Sequence, residues 1–419
     1  MPTLRTTRIA GLLTLGAAFL AMEAGCSLLG KPWAKHEPPP PPPAPVVAAP
    51  QNPPSATHKF EFDPAHDDVV GYVQTTIATA DDTLPDIARR FDLGYEEVVR
   101  ANPGVDPWLP GAGRKIVLPT QFVLPDAPPE GIVINVAAMR LYYFPPRKAG
   151  ELQTVYTHPV GIGKIGWTTP EGVTKVTGKE KDPIWRVPES VRKEHLENGD
   201  ELPAVVPAGP DNPLGNRKFT LAWPTYLIHG TNKPYGVGMR SSHGCVRLYP
   251  EDVEPLFDMV PIGTKVRVVN QPFIFGWHQG VMYFQAYGAL QDDTKGWQQA
   301  EKKLLGRNIA PRHRKSLKEH SAKIRWDEVN ALAHDPRAVT VPVSTPDTTV
   351  DTVIASAKQV DNMLPTGSNW NGKNELLVSE QQFEEMLSDR EPGSEAAPAP
   401  ATAIAPASAS TSAPAAPSH

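Results

Sequence analysis

One short motif holds the residues of this chain that are best suited to covalent chemistry. Cys245 lies within Ser241-Ser242-His243-Gly244-Cys245-Val246-Arg247, and His229-Gly230 lies sixteen residues before the cysteine. The only other cysteine, Cys26, ends an apparent export signal, so Cys245 has no obvious disulfide partner. A thiol needs a base to become a nucleophilic thiolate, and a histidine that the fold brings close can supply it. We therefore predict that Cys245 is a nucleophile and that His229 is its base.

The residues just before the cysteine are expected to support the motif and to form an oxyanion pocket. Gly244 removes side-chain bulk beside the thiol and lets the backbone turn sharply. Successive N–H groups of His243, Gly244 and Cys245 would then point into one pocket and stabilise a tetrahedral oxyanion, with Ser242 supporting the turn. The structural alternative, a small buried cysteine beside satisfied histidines, stays open at this point.

The two ends of the chain are expected to lie outside the folded body. Arg5 and Arg8 precede an apolar run, which is typical of a secretory signal over residues 1–26. Ala24-Gly25-Cys26 resembles the end of a bacterial lipoprotein signal, which implies lipidation and a membrane tether at Cys26; ordinary signal-peptidase cleavage is the alternative. Residues 27–69 are predicted to be a Pro-rich linker, and residues 391–419 an Ala/Pro-rich disordered tail.

A small module is predicted over residues 70–120. Leu84, Ile87, Ala88 and Phe91 have helical spacing, a second short helix is expected over residues 96–101, and short strands flank the pair. This βααβ unit resembles a LysM domain, through Asp82-Thr83-Leu84, Ala101-Asn102-Pro103 and Leu109-Pro110-Gly111. The resemblance implies binding to peptidoglycan glycan strands; a spacer without glycan contact is the alternative.

Residues 130–270 are predicted to be rich in β-strands. Short apolar runs at 132–136, 141–144, 155–160, 219–222, 226–229 and 265–269 are separated by Gly/Pro loops. Residues 251–259 form the one clear helix of the region. Short strands with long loops favour a β-sandwich or barrel over a parallel α/β sheet.

This region resembles the catalytic domain of the L,D-transpeptidases, which have a YkuD-type fold. The resemblance is carried by His229-Gly230, by Ser242-His243-Gly244-Cys245-Val246-Arg247, and by further stretches such as Thr169-Pro170 and residues 202–213. It implies a mainly β chain that combines a β-sandwich catalytic domain, the LysM-like domain, a partly helical C-terminal extension and disordered tails. Residues 202–213 and the LysM-like module resemble the periplasmic branch that links murein lipoprotein to peptidoglycan in Gram-negative bacteria.

The family implies a cysteine acyltransferase that acts on peptidoglycan tetrapeptide stems in the periplasm. Cys245 would attack the L-centre carbonyl of the diamino acid, D-alanine would leave, and an amine from a murein lipoprotein or a second stem would accept the acyl group. Arg247 is expected to bind a stem carboxylate or to support the motif loop through an ion pair. No cofactor or metal is expected, and the net charge of −5 argues against a nucleic-acid partner. A hydrolase of the same fold and a non-enzymatic wall-binding protein are the alternatives.

Residues 271–390 are expected to form a C-terminal extension of unknown role. Residues 273–286 predict a hairpin that continues the sheet, with its turn at His278-Gln279-Gly280. Residues 302–326 predict a basic helix whose charges are typical of a solvated face.

Overall fold

A computed structural model describes residues 52–55, 57–293, 296–297, 302–365, 368 and 370–373. The predicted signal segment, Cys26, most of the Pro-rich linker and the 391–419 tail lie outside these described residues. In the part of the chain that is described, no helix has the length and apolar character needed to cross a membrane.

The described residues form twenty-one strands and eight α-helices. The strands before the cysteine motif are β1 (Lys59–Phe62), β2 (Val69–Gly71), β3 (Gln74–Ile77), β4 (Lys115–Leu118), β5 (Gln121–Val123), β6 (Gly131–Asn135), β7 (Arg140–Phe144), β8 (Gln153–Pro159), β9 (Ile162–Gly163), β10 (Gly172–Lys181), β11 (Trp185–Arg186), β12 (Val205–Val206), β13 (Arg217–Leu221), β14 (Leu227–His229) and β15 (Arg240–Ser242). Those that follow are β16 (Val246–Arg247), β17 (Lys265–Val269), β18 (Phe273–His278), β19 (Val281–Ala286), β20 (Val341–Pro342) and β21 (Lys358–Gln359). The helices are α1 (Leu84–Arg90), α2 (Tyr95–Ala101), α3 (Glu189–Glu197), α4 (Pro250–Met259), α5 (Lys302–Arg307), α6 (Pro311–Glu319), α7 (Trp326–His334) and α8 (Val350–Ser356).

A nine-stranded mixed sheet forms the centre of the catalytic region, so the mainly β prediction is confirmed. Its strand order is β1-β8-β7-β6-β17-β10-β13-β14-β16. Strand β10 pairs with β17 over its first residues and with β13 over its last ones, and the register shifts between Val176 and Gly178. One hydrophobic core draws on β6 and β17 from one half, on β13, β14 and β16 from the other, and on α4. The pairing is therefore continuous through β10 instead of dividing into two separate sheets.

A second unit, here called the helical unit, consists of β3, α1, α2 and β4. The four elements occur in the predicted order, and β3 pairs antiparallel with β4. The Thr83 hydroxyl caps α1 by accepting a hydrogen bond from the Asp86 N–H. The Asn102 side chain accepts a bond from the Val117 N–H and donates to the carbonyls of Val98 and Val117, which fixes α2 against β4. These local hydrogen bonds explain why so short a segment holds two helices.

Ion pairs join the helical unit to the catalytic sheet. The guanidinium of Arg140 on β7 binds both carboxylate oxygens of Glu97 on α2, at 2.8 and 2.7 Å, and neither side chain is exposed beyond 4%. Arg89 on α1 binds both oxygens of Glu251 on α4, at 2.6 and 2.8 Å. Such bidentate contacts fix the relative orientation of the two side chains as well as their distance.

Several boundaries differ from the sequence predictions. Residues 59–62, placed in the linker, form β1 at the edge of the main sheet, because alternate residues of Lys-Phe-Glu-Phe suit a strand. The hairpin of β18 and β19 is confirmed, but it forms a separate sheet with β20 and does not continue the main one. The basic helix expected over residues 302–326 divides into α5 and α6; Pro311, which lacks the N–H that would continue a preceding helix, stands at the first position of α6. The single helix predicted at 251–259 exists as α4, but α3 was missed.

Candidate active site

Strand pairing brings the cysteine and the upstream histidine to one place. Strands β14 and β16 are parallel, with Ile228 opposite Val246 and His229 opposite Arg247. Ile228 and Val246 point into the core, where their exposed fractions are 0% and 2%. Because side chains alternate along a strand, Cys245, Arg247 and His229 must project from the other face. The fifteen residues between the histidine and the cysteine form the connection that this parallel pairing needs.

His229 is held as a neutral base. Its Nδ1–H donates to the Gly230 carbonyl oxygen at 2.6 Å, which leaves the lone pair on Nε2. Burial, reinforced by the positive charge of Arg247, lowers the pKa of His229 to about 3. The imidazole is therefore uncharged at any physiological pH and can accept a proton at Nε2.

The thiol of Cys245 is also in its neutral form at rest. Its Sγ lies 3.6 Å from the Thr225 carbonyl oxygen, to which the S–H donates. Burial raises the pKa of Cys245, and a backbone N–H from Leu227 and the charge of Arg247 offset this only in part. Both groups are accordingly neutral at rest and do not form a thiolate–imidazolium pair.

A tight turn carries the residues before the cysteine. Gly244 has φ of 99°, and a Cβ at this position would lie 2.9 Å from the Tyr226 ring. The Ser242 hydroxyl donates to the Cys245 carbonyl at 2.6 Å and accepts from the Gly244 N–H at 3.2 Å. The Thr169 hydroxyl donates to the Gly244 carbonyl at 3.0 Å. The Gly244 N–H is thus used inside the turn and does not point outward with its neighbours, as the sequence had suggested.

His243 is attached to an element that the sequence reading missed. Its Nε2 lies 2.5 Å from Oε2 of Glu194 on α3, and its ring makes an edge contact with Trp167 at 4.9 Å. Glu194 Oε1 also accepts from Trp167 Nε1 at 3.1 Å and pairs with Lys164 Nζ at 2.9 Å. Although burial opposes its ionisation, the hydrogen bonds from Lys164 and His243 lower the pKa of Glu194. Glu194 therefore anchors α3 beside the motif.

Arg247 lies beside His229 and is half-buried. Its Nη1 donates to the Ser241 carbonyl at 3.2 Å, and its Nε has no hydrogen-bond partner among the described residues. Burial lowers the pKa of Arg247. No carboxylate within the described ranges forms an ion pair with it, so the structural ion pair considered above is absent there.

Comparisons with known proteins identify the class of this site. A family model described as the L,D-transpeptidase catalytic domain, YkuD, matches residues 129–268. The probable L,D-transpeptidase YcfS of Escherichia coli K12 is 43% identical over 224 residues, which are 52% of this chain and 69% of YcfS. The probable L,D-transpeptidase YbiS of the same strain is 46% identical over 186 residues, 44% of this chain and 59% of YbiS. The solved catalytic domain of the E. faecium L,D-transpeptidase aligns over its full length with 35% of this chain, at 24% identity and a TM-score of 0.26.

The chain belongs to the L,D-transpeptidase family, and residues 129–268 are its catalytic domain. The predicted family and enzyme class are thereby confirmed. The chain spans about three fifths of the length of YbiS, since the alignment covers 59% of that relative.

Proposed function

We propose that this enzyme is a periplasmic L,D-transpeptidase in which Cys245 is the nucleophile and His229 the base. The parallel pairing of β14 and β16, which sets both residues on one face, is the observation that carries the proposal. The substrate is the tetrapeptide stem of peptidoglycan. Nε2 of His229 takes the thiol proton as sulfur bonds to the L-centre carbonyl carbon of the diamino acid. The C–N bond to D-alanine then breaks, and the proton passes from His229 to the leaving amine.

The resulting thioester keeps enough acylating power to form a new amide without ATP. An incoming amine attacks the carbonyl carbon, gives a proton to His229, and the Cys245 thiolate leaves and is reprotonated. We infer that the oxyanion of each tetrahedral intermediate is bound by the N–H groups of Cys245 and His243. Gly244 and Ser242 act by fixing the turn, because the Gly244 N–H already bonds the Ser242 hydroxyl.

Substrate recognition is assigned to groups around this face. Arg247 is proposed to bind a stem carboxylate, which its orphaned Nε and the lack of a described carboxylate partner support. The helical unit is proposed to contact glycan strands in the manner of a LysM domain. Lipidation at Cys26 and the Pro-rich segment after it would let a membrane-tethered enzyme reach the wall, at roughly 3 Å per residue of polyproline.

Acylation by a carbapenem tests the nucleophile. In a Cys26→Ser background, which leaves Cys245 as the one thiol of the sequence, the full chain should gain one drug mass in intact-mass spectra. Cys245→Ala should gain none, and His229→Ala should react much more slowly while keeping its circular dichroism. His66→Ala is the matched control, because the side chain of this exposed histidine bonds the nearby Asp63 carboxylate in the described hydrogen bonds and should not affect the reaction. An adduct that persists in Cys245→Ala would contradict the assignment.

The identity of the acyl acceptor distinguishes a ligase from a hydrolase of the same fold. The enzyme is incubated with purified tetrapeptide fragments and a lysine-terminated lipoprotein peptide, and products are followed by mass spectrometry. A peptide–stem conjugate supports lipoprotein attachment, and a stem–stem dimer supports cross-linking. Recovery of the trimmed tripeptide alone, with amine in excess, would replace the ligase by a carboxypeptidase.

A further inference from the structure

A buried cluster of three ligand-type side chains lies outside the active site. Asp92 follows α1, His158 is on β8, and Asp252 is in the first turn of α4. Their exposed fractions are 7%, 3% and 8%, and one ligand atom from each lies within 4.8 Å of the other two. Burying two carboxylates together is unfavourable unless something compensates their charge.

Hydrogen bonding leaves this cluster unsatisfied. Within the described residues, both oxygens of Asp92, both ring nitrogens of His158 and Oδ2 of Asp252 form no well-aligned hydrogen bond, although His158 Nδ1 lies in ion-pair contact with both carboxylates. Buried polar atoms are nearly always paired, so this ion-pair cluster still has unused ligand atoms. A single cation among them would satisfy the atoms that converge.

The distances match those between ligands of one metal ion. His158 Nδ1 lies 3.2 Å from Asp92 Oδ2 and 3.2 Å from Asp252 Oδ1, which is also within the range of an ion pair. Ligand atoms around tetrahedral zinc, with bonds of about 2.0–2.1 Å, lie about 3.3–3.4 Å apart. The observed separations are those of neighbouring ligands.

The charged groups described near the cluster do not prevent the binding of a divalent cation. Arg140 is near Asp92, but its guanidinium is already paired with Glu97. His58, on the exposed side, has its Nδ1 3.9 Å from Asp92 Oδ2 and its ring 6.0 Å from that of His158.

We propose that Asp92, His158 and Asp252 bind a zinc-class divalent cation. One imidazole and two carboxylates suit zinc, and the two negative charges balance the ion. The fourth ligand would be water or His58, whose Nδ1 lies 3.9 Å from Asp92 Oδ2. Because Asp92 belongs to the loop after α1 whereas His158 and Asp252 belong to the catalytic region, the cation fastens the helical unit to the catalytic sheet.

Metal titration tests the site on the full chain in a Cys26→Ser, Cys245→Ser background, which removes both thiols. After chelation and gel filtration, the protein should bind one Zn²⁺ per chain by elemental analysis, and its melting temperature should rise by several degrees. Co²⁺ should give tetrahedral absorption bands between about 500 and 650 nm without thiolate charge transfer.

Asp252→Asn and His158→Gln should lose this equivalent, whereas His66→Gln, which alters a surface histidine–aspartate pair, should retain it. The Co²⁺ spectrum of the unsubstituted site remains a test if either variant fails to fold. Absence of tightly bound Zn²⁺ and of Co²⁺ bands would overturn the proposal, as would an unchanged stoichiometry in Asp252→Asn.

Discussion

The neutral state of His229 makes the pH dependence of acylation a sharp test of the mechanism. Burial and the neighbouring Arg247 lower the pKa of His229 to about 3, and its Nδ1–H is fixed on the Gly230 carbonyl. A base works only when it is deprotonated, so a lowered pKa extends activity to lower pH. A histidine with the ordinary pKa of about 6.5 would lose about 25-fold of its neutral form between pH 7 and pH 5. With a pKa of about 3, the loss over the same range is about 1%.

We therefore expect the second-order rate of carbapenem acylation to change by less than about twofold between pH 7 and pH 5. The rate is followed by intact mass at each pH, with circular dichroism as the control for folding. Free cysteine should lose reactivity steeply over the same range, because it reacts as the thiolate. An acid limb in the enzyme with an apparent pKa near 6.5 would refute the buried neutral base.

Three substitutions test the surroundings of the site. Gly244→Ala places a methyl group 2.9 Å from the Tyr226 ring at φ of 99°, so acylation should fall at least about tenfold. Gly166→Ala is the control, because its φ of 82° imposes a similar backbone strain but its methyl group would have nothing within 4 Å; this variant should react normally. Glu194→Gln should slow acylation several-fold and shift its pH profile while the melting temperature changes little, since α3 carries only one buried residue. Arg140→Met should cost about 3–5 kcal/mol of unfolding free energy in urea, because Glu97 is left buried and unpaired, and adding Glu97→Met should recover part of the loss.

The sequence predicted the parts of the site that are contiguous or regularly spaced. Cys245 and its neighbours form one motif, and the strands that carry them have clear apolar runs, so family, strands and α4 could be found. The direction of the Gly244 N–H could not be predicted from the sequence, because it depends on the position of the Ser242 hydroxyl, which accepts its hydrogen bond. Glu194 was missed because α3 has a single buried residue, and its charges look like those of any solvated surface.

Clusters of residues that are distant in the sequence could not be predicted for a different reason. Asp92, His158 and Asp252 come from three elements that are distant in the sequence, and none belongs to a spacing typical of metal ligands. Strand β1 did carry a signal, the alternation of Lys-Phe-Glu-Phe, but the neighbouring prolines concealed it. These features depend on contacts between distant parts of the chain, which the local sequence pattern does not reveal.

The pairing of β21 with β3 has a consequence for the order in which the chain can fold. Lys358 lies opposite Gln74, the Val360 N–H donates to the Thr75 carbonyl, and the Asp361 carboxylate accepts from the Asn52 N–H. Contacts across so much of the sequence form late, because a very long loop must close first. A chain still lacking residues from 358 onward would leave the edge of β3 open to pairing with other molecules. Strand β21 thus covers the edge of β3 and protects the helical unit from pairing with other chains.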